Sequence, residues 1–507
     1  MGLNSALSIA ASGLNAVQNA MNVASNNVSN SGTAGYIREV ANVQSTVAGN
    51  TGSGVRVAAT TLATSEQLQK ALYSQNADVA SYSTTQTALS AITALQGSTS
   101  ASSGSSGTLP DLLGNLQSSL TALTAIPTSA SAQNTVLSDA SSFCDSVHTL
   151  ADTYQQQRQT AQDGIVSSIS DINTDLTTIG TLSTRIMTLK SQDADTASLE
   201  NQRFTALSSL SSELSVNWSV TSSGDMSIST ADGMTLPTRD TSSASGPTIS
   251  SDWPLSTSGM QISASSVYPG NGDANSISGI TLNGKDITSH LTGGTLGANI
   301  TLRDTTLPTM QAQLDAFSST VASRFQAQGM SLFTISSDQV PGTSQTTLSP
   351  DGSIGLSQDI TVSSTYTNDP SLLVDGNSAD TDTVQNVLKY SFGTTLADGT
   401  SQPASPTSGL GMSGTLVTGY SGNQGLVSLA TTLTANQAAT ASNASTDLSY
   451  AQTSQSSLSS GLSETSSVSV DTEMANIVTL QNAYSANAKV ISTVQTMFSA
   501  FLNAIGT

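Results

Sequence analysis

Aromatic and charged side chains are scarce in this sequence. Aromatic residues make up 4% of its 507 positions and charged residues 9%. Because few large side chains limit the apolar area that one globule can bury, we expect slender helical packing and extended sheets in several domains. Positive charge is scarcer still, with 13 Lys and Arg against 34 Asp and Glu and a net charge of -21. The absence of a basic face excludes a nucleic-acid partner.

Cysteine and long apolar runs are also missing. The single cysteine, Cys144, cannot form an internal disulfide framework. The opening MGLNSALSIAASGLNAV has no basic flank and no continuous apolar block. We therefore predict neither a signal peptide nor membrane insertion there, and we expect any export to proceed without a cleaved leader.

Residue types that carry enzyme chemistry are few and scattered. Cys144 and His148 stand four positions apart in a helical pattern, but two ligands do not close a zinc shell, and the sequence contains no CxxC or HExxH. His290 lies in a Gly/Thr-rich stretch with no acidic or nucleophilic constellation around it. We predict packing roles for Cys144 and His148, a surface position for His290, and no catalytic, metal or cofactor site.

Apolar residues at heptad spacing mark both ends of the chain. The N-terminal seam consists of Leu3, Leu7, Ala10, Leu14, Val17, Met21, Ala24 and Val28. The C-terminal seam consists of Val470, Met474, Ile477, Tyr484, Ile491, Phe498 and Leu502. Steps of three and four are typical of a coiled coil, and isolated helices of this kind are marginal in water. We predict that residues 1–35 pair with residues 468–507, and that the two seams form the assembly interface with other copies.

A polar turn follows the N-terminal seam. The stretch NNVSNSGTAGYIRE contains Asn26, Asn27, Asn30, Gly35 and Tyr36. Asn and Gly tolerate left-handed backbone angles, so this stretch is able to reverse the chain after a helix. We predict a hinge between the terminal coiled coil and the rest of the protein.

The remaining pattern predicts a mainly α-helical base with inserted β-structure. Helical periodicity covers most of the chain, but from about Val216 alternation and Gly/Pro punctuation indicate short strands. The predicted units are a long-helix domain at 36–216 with 296–330 and 421–467, an inserted β-rich domain at 217–295, and a mixed β/loop region at 331–420. Because the insert interrupts a helical layer and is rich in Ser, Thr and Gly, we expect it to be separable and to point outward.

Both ends resemble the bacterial flagellar axial proteins, the rod, hook and hook-associated family. SALSIAASGLNAVQNAMNVASNNVSNSGTAGYIRE resembles their shared start, although Ala34 stands where the family often has proline before Gly-Tyr. DTEMANIVTLQNAYSANAKVISTVQTMFSAFLNAIGT resembles their closing helix. The long helical layer and the segment GGTLGANITLRDTTLPTMQAQLD resemble the hook-associated protein 1 family, the first of the two kinds of hook-filament junction protein.

The resemblance implies a structural, self-assembling subunit of the extracellular flagellum that caps the hook and supports filament growth. It further implies a ring of copies, contacts with the hook protein and with the second junction protein, and an export chaperone on the C-terminal helix. A hook or distal-rod protein is the alternative within the family. A flagellum-associated peptidoglycan hydrolase is the alternative of another class, but the scattered aspartates offer no placed carboxylate pair.

Overall fold

The chain is mainly α-helical, with long helices at both termini and small sheets between them. A computed structural model describes residues 3–33, 35–48, 51–96, 107–240, 253–270, 275–334, 354–376 and 379–505, so Ala34 lies outside the described residues. The helices are α1 (Leu3–Ser29), α2 (Glu66–Gln96), α3 (Leu109–Ala125), α4 (Ala130–Lys190), α5 (Ala197–Glu213), α6 (Gly294–Thr301), α7 (Leu307–Ala327), α8 (Leu356–Asp359), α9 (Ser364–Asn368), α10 (Asp382–Asn386), α11 (Leu426–Ser466) and α12 (Val470–Ile505). The strands are β1 (Glu39–Ala48), β2 (Thr51–Leu62), β3 (Val216–Val220), β4 (Met226–Thr230), β5 (Thr235–Leu236), β6 (Leu255–Ser256), β7 (Thr281–Leu282), β8 (Lys285–Asp286), β9 (Phe333–Thr334) and β10 (Thr361–Val362). This arrangement confirms the predicted fold class.

The terminal helices α1 and α12 pack antiparallel. Asn27 near the end of α1 contacts Glu473 in the first turn of α12. Two heptads away on each helix, Gly13 faces Asn487, and a Cβ on Gly13 would lie 3.2 Å from the Asn487 amide nitrogen. Because 14 positions separate the contacts on both helices, the pairing stays in register over four turns.

A long β-hairpin completes the base of the molecule. Strands β1 and β2 pair antiparallel from Glu39 with Leu62 to Ala48 with Thr51. The hairpin folds back along α1, where the Val55 amide donates to the Ser12 hydroxyl at 3.1 Å. The boundary predicted at residue 36 assigned this segment to the helical domain, whereas the structure packs it against α1.

The helical domain is organised around α4, which is 61 residues long. Ser129 caps its N-terminus by accepting from the Ala132 amide at 3.3 Å. The first half of α4 packs with α3, α7 and the start of α11 into one hydrophobic cluster, where Phe143 makes edge contacts with Phe317 and Phe333. Helices α2 and α11 run antiparallel beside it, joined by Gln96 with Gln437 and by Asn76 with Gln455.

The inserted strands share a hydrophobic core with the helices, and the separability of the insert stays a prediction. A second cluster combines residues of α4 and α5 with the buried insert residues Trp218, Met226, Ile228, Leu236, Leu255, Ile280, Ile287 and Leu291. The loop after β5 lies against α4 so closely that a Cβ on Gly180 would be 1.9 Å from the Thr238 carbonyl oxygen. The buried Arg203 guanidinium of α5 donates to the Gly224 carbonyl oxygen at 2.7 Å. Short strands this polar bury too little apolar area among themselves, so they use the helices as the other half of their core.

The region at 331–420 also folds onto the helical domain. Its described part contains short helices and turns, and its only named strands, β9 and β10, have two residues each. The buried Asp315 carboxylate of α7 accepts from the Ser357 amide at 2.9 Å and from the Gly355 amide at 3.1 Å. Burial raises the pKa of Asp315 to about 6 against the effect of these bonds.

Candidate assembly interface

Asn27 is the centre of a buried polar cluster at the point where α1 ends. The residue is 1% exposed. Its amide nitrogen donates to the Glu39 carbonyl oxygen at 2.8 Å, and its amide oxygen accepts from the Glu39 backbone amide at 2.9 Å. The same oxygen accepts from the Tyr36 hydroxyl at 3.0 Å. One side chain therefore closes the loop between α1 and β1 by satisfying both main-chain groups of Glu39.

The same cluster connects α12 and α5. The Glu473 carboxylate lies 3.4 Å from the Asn27 amide nitrogen and 3.7 Å from the Arg38 guanidinium. The Arg38 backbone amide donates to the Ser466 carbonyl oxygen, 2.9 Å away at the end of α11. On the other side, Asn201 of α5 makes two 2.9 Å bonds to the main chain of Ile37. The segment 36–39 is thus the joint at which the terminal pair meets the helical domain.

The residues predicted as a hinge lie in or beside this joint. Asn26 and Asn27 belong to the last turn of α1, and Asn30 follows it with its backbone amide bonded to the Asn26 carbonyl oxygen at 3.0 Å. Gly35 has a φ of +77°, the left-handed conformation expected of a turn glycine. Their role as a hinge stays a prediction, and the buried hydrogen bonds of Asn27 give the turn a defined geometry.

Burial raises the pKa of Glu39, with Asp195 adding repulsion and hydrogen bonds from Asn201 and Tyr36 opposing the shift. A carboxylate whose folded-state pKa is raised contributes stability below its unfolded pKa and loses it as pH rises through the folded value. We therefore expect Glu39→Gln to raise the free energy of unfolding relative to the wild type, and we expect this gain to be larger at pH 7 than at pH 4. Thermal unfolding of both proteins across this range measures the difference, and a larger Glu39→Gln benefit at pH 4 would contradict the assignment.

The C-terminal seam is divided between two environments. Ile477 and Ile491 are half-buried on the side of α12 that carries the buried Glu473 and Val494. The other five predicted residues are exposed, as are four further apolar residues of the helix. The exposed set, between 37% and 58% accessible, is Val470, Met474, Val478, Tyr484, Val490, Met497, Phe498, Phe501 and Leu502.

The N-terminal seam is more covered. Its predicted residues Leu7, Leu14, Val17, Met21 and Val28 are all half-buried, and the side chain of Leu3 lies outside the described part of the chain. The fully buried positions of α1 include Ala10, Ala16, Val23 and Ala24, because the helix packs on both α12 and the hairpin. Because the seam residues are only half-buried, α1 keeps a partly exposed apolar face in addition to its packed face.

The candidate chemical residues have structural surroundings. Cys144 is buried, and burial raises the pKa of its thiol to about 12. His148 Nε2 lies 2.7 Å from the Ile360 carbonyl oxygen, and His290 Nδ1 lies 2.5 Å from the Asp232 carboxylate. The described residues contain no group of three or more His, Cys, Asp or Glu that could hold a metal ion. None of the helices found there is long and apolar enough to cross a membrane.

Sequence reasoning missed Glu39, Arg38 and Asn201 as members of the joint. A signal was present, since Arg38 and Glu39 are adjacent charges in a stretch that is otherwise uncharged from residue 3 to residue 55. Asn201 gave no local signal, because its contact with Ile37 spans 164 positions of sequence.

Three family models match successive parts of the chain. Residues 7–36 match the model of the flagella basal body rod protein, and residues 459–505 match the C-terminal model of the flagellar basal body rod FlgEFG proteins. Residues 94–339 match the helical domain of the flagellar hook-associated protein FlgK. The chain belongs to the flagellar rod, hook and hook-associated protein family. The terminal models of this family correspond to α1 with its turn and to α11–α12, the elements that meet at the joint.

A solved structure of a family member is also similar. It is the flagellar hook junction protein FlgK from Burkholderia pseudomallei, with 23% sequence identity and a TM-score of 0.41. The match covers 54% of this chain and 47% of that chain, about half the length of each. The comparison with curated proteins finds no match.

Proposed function

We propose that this protein is a structural subunit at the hook-filament junction of the bacterial flagellum, where it caps the hook and provides the surface from which the filament grows. Its match to the FlgK helical-domain model favours the junction over the hook or the distal rod. The protein acts through assembly and carries out no enzymatic reaction. Its location is the extracellular flagellum, reached by export without a cleaved signal peptide.

The exposed apolar surface of α12 carries this proposal. At 100° per residue, Val470, Met474 and Val478 lie on one flank of the helix, while Val490, Met497 and Phe501 lie on the opposite flank. Contiguous exposed apolar side chains are typical of protein interfaces. Two flanks on either side of the α1 contact suit a subunit that has a neighbour on each side, as in a ring.

The partners follow from this geometry and from the family. We expect copies of the chain to join through the N- and C-terminal seams, with the hook protein on one side of the ring and the second junction protein on the other. The exposed face of α12 is also the surface on which an export chaperone would bind before assembly. A chaperone that covers these residues would keep the monomer from aggregating.

Replacement of Phe498 with aspartate tests the seam. Phe498 is 41% exposed, so the monomer should keep its thermal stability. Self-association should weaken about 100-fold or more, because a phenylalanine burial is lost and a charge must be desolvated. Sedimentation of purified wild-type and variant protein over a concentration series measures this without involving export.

The matched control is Gln495→Asp, which adds the same charge at an exposed polar position one turn away. It should associate nearly as well as the wild-type protein. If the Phe498 variant associated as strongly as the wild type, the seam would not be part of the assembly interface.

Immunogold labelling of isolated hook-basal bodies locates the protein. We expect label at the distal end of the hook. Label along the whole hook would favour a hook protein, and label below it a distal-rod protein. A clearing zone in a zymogram on cell-wall substrate would instead favour the peptidoglycan hydrolase.

A further inference from the structure

The two exposed apolar flanks of α12 lie at different levels of the helix. The first flank lies in its first three turns and consists of Val470, Met474 and Val478. The second flank lies in its second half and consists of Val490, Met497 and Phe501. Their side chains are 41% to 56% exposed, so α1 covers neither flank.

Each flank is accompanied by one charge, and the two charges have opposite signs. Asp471 lies beside the first flank and Lys489 beside the second, and both are exposed. Neither forms an ion pair with any residue that the structure describes. α1 has no charged residue, and the remaining charge of α12, Glu473, is buried at the joint. Asp471 and Lys489 are therefore the charges that this helix pair presents to a neighbour.

Both charges lie on the outer side of α12. Asp471 and Lys489 are 18 positions apart, which corresponds to about five helical turns and about 27 Å. Each is about 160° around the helix from Glu473, the residue that contacts α1. Because about 27 Å separates them along one helix, an ion pair between these two positions requires two copies of the chain.

Charge and apolar surface together identify a second copy as the partner. The protein has a net charge of -21, so most of its own surface repels the acidic residue beside the first flank. The second flank differs because Lys489 accompanies its exposed apolar side chains. It therefore offers the first flank both apolar contact and a charge of opposite sign.

We infer that the first flank of one copy docks on the second flank of a neighbouring copy whose α12 points the same way, with Asp471 opposite Lys489. The neighbour is displaced by about 27 Å along the helix, which also brings Val478 of one copy to the level of Met497 of the other. The charges at the rim set this register, as charges beside the seam do in coiled coils.

Such a contact is heterologous. The two flanks lie on opposite sides of α12, so each copy uses both of them, one towards each neighbour. The inference rests on the proposed self-assembling function and specifies which surfaces meet.

A complementation experiment tests the pairing of the flanks. Val478→Asp blocks the first flank and Met497→Asp the second, so each variant alone should associate at least about 30-fold more weakly than the wild type. An equimolar mixture should nevertheless form a dimer, because one variant keeps an intact second flank and the other an intact first flank. Sedimentation of the full chains measures both results.

Asn482→Asp is the control, at an exposed polar position between the levels of the two flanks. It should associate nearly as well as the wild type, and all three variants should keep the wild-type thermal midpoint. If the wild type associates but the mixture of blocked variants stays monomeric, the inference is overturned and the proposed function stands. Failure of the wild-type chain to associate would overturn both.

Exchange of the two charges tests the register. Asp471→Lys and Lys489→Asp each place like charges opposite one another, and each should weaken association about three- to tenfold. The variant that carries both changes should associate within about twofold of the wild type, and the single-variant effects should shrink in about 1 M salt. Because one helix holds the two positions too far apart to pair, recovery reports a contact between copies. A double variant as weak as the single variants would overturn the inference.

Discussion

Replacement of Ile228 with aspartate is expected to unfold the β-insert together with the α4–α5 end of the helical domain. Ile228 is 0% exposed and belongs to the hydrophobic cluster formed by the insert, α4 and α5. The change removes a large buried side chain and introduces a charge without a partner, at a cost of about 5 kcal/mol or more. Since a whole domain is stable by about 5 to 15 kcal/mol, this end of the protein should not stay folded.

Hydrogen exchange followed by mass spectrometry measures the effect by segment. Protection should be lost in β3, β4, α5 and the second half of α4, and retained in α3 and α7, which belong to the other cluster. If only β3–β5 lost protection, the insert would be the separable domain that its composition suggested.

The control is Ser227→Asp, the neighbouring position on the same strand. Ser227 is exposed on the opposite face of the sheet, so the added charge remains in water. Its stability should lie within about 0.5 kcal/mol of the wild type. If both substitutions lowered stability equally, the alternation of buried and exposed residues in β4 would not be what holds the strand in place.

Replacement of Asn27 with alanine is expected to release the terminal module from the helical domain. The change leaves the buried main-chain N–H and C=O groups of Glu39 without their partner and removes one acceptor of the Tyr36 hydroxyl. Unpaired buried groups cost about 1 to 3 kcal/mol each, so the joint should lose about 3 to 5 kcal/mol. Apart from Ile37, the residues of both hydrophobic clusters lie outside the joint, so the helical domain should remain folded.

Limited proteolysis and hydrogen exchange of the purified monomer detect this release. Cleavage at residues 30–38 and exchange of α1, β1 and α12 should accelerate, while α4 remains protected. Loss of self-association should follow, because the seams are no longer held together. Unchanged protection of α1 and α12 would show that the coiled coil and hairpin hold the module without Asn27.

Asn26→Ala is the matched control for this prediction. Asn26 is the preceding residue of the same helical turn, and it is exposed. Its main-chain carbonyl accepts from Asn30, a bond that alanine keeps. The variant should behave like the wild type, which attributes the effect to the buried side chain and not to helix propensity.

The heptads at both ends were sufficient to predict the terminal helices, because apolar spacing of three and four is local information that every helical turn repeats. Heptad spacing did not show which residues of the C-terminal seam are buried and which are exposed. Ile491 and Phe498 have the same heptad position, yet Ile491 is half-buried and Phe498 is 41% exposed. In the antiparallel register that pairs Asn27 with Glu473 and Gly13 with Asn487, Phe498 lies at the start of α1, where the described residues begin at Leu3.

The insert illustrates the opposite case. Alternation in VNWSV and MSIST predicted strands, and both strands are present as β3 and β4. Their low apolar content suggested an independent, water-facing sheet, whereas Trp218 and Ile228 are buried against helices that precede them in sequence. Alternation specifies which side chains share a face, but not which surface that face contacts.

The sequence by itself determined the positions of the long helices, the turn after α1, the scarcity of charge and the family to which both ends belong. Each of these depends on residues close together along the chain. Only the tertiary structure decided that Asn27, Glu39 and Glu473 form one joint and that the insert shares the helical core. These features depend on burial and on contacts between residues far apart in sequence, up to 446 positions in the joint, and no local pattern encodes such distances.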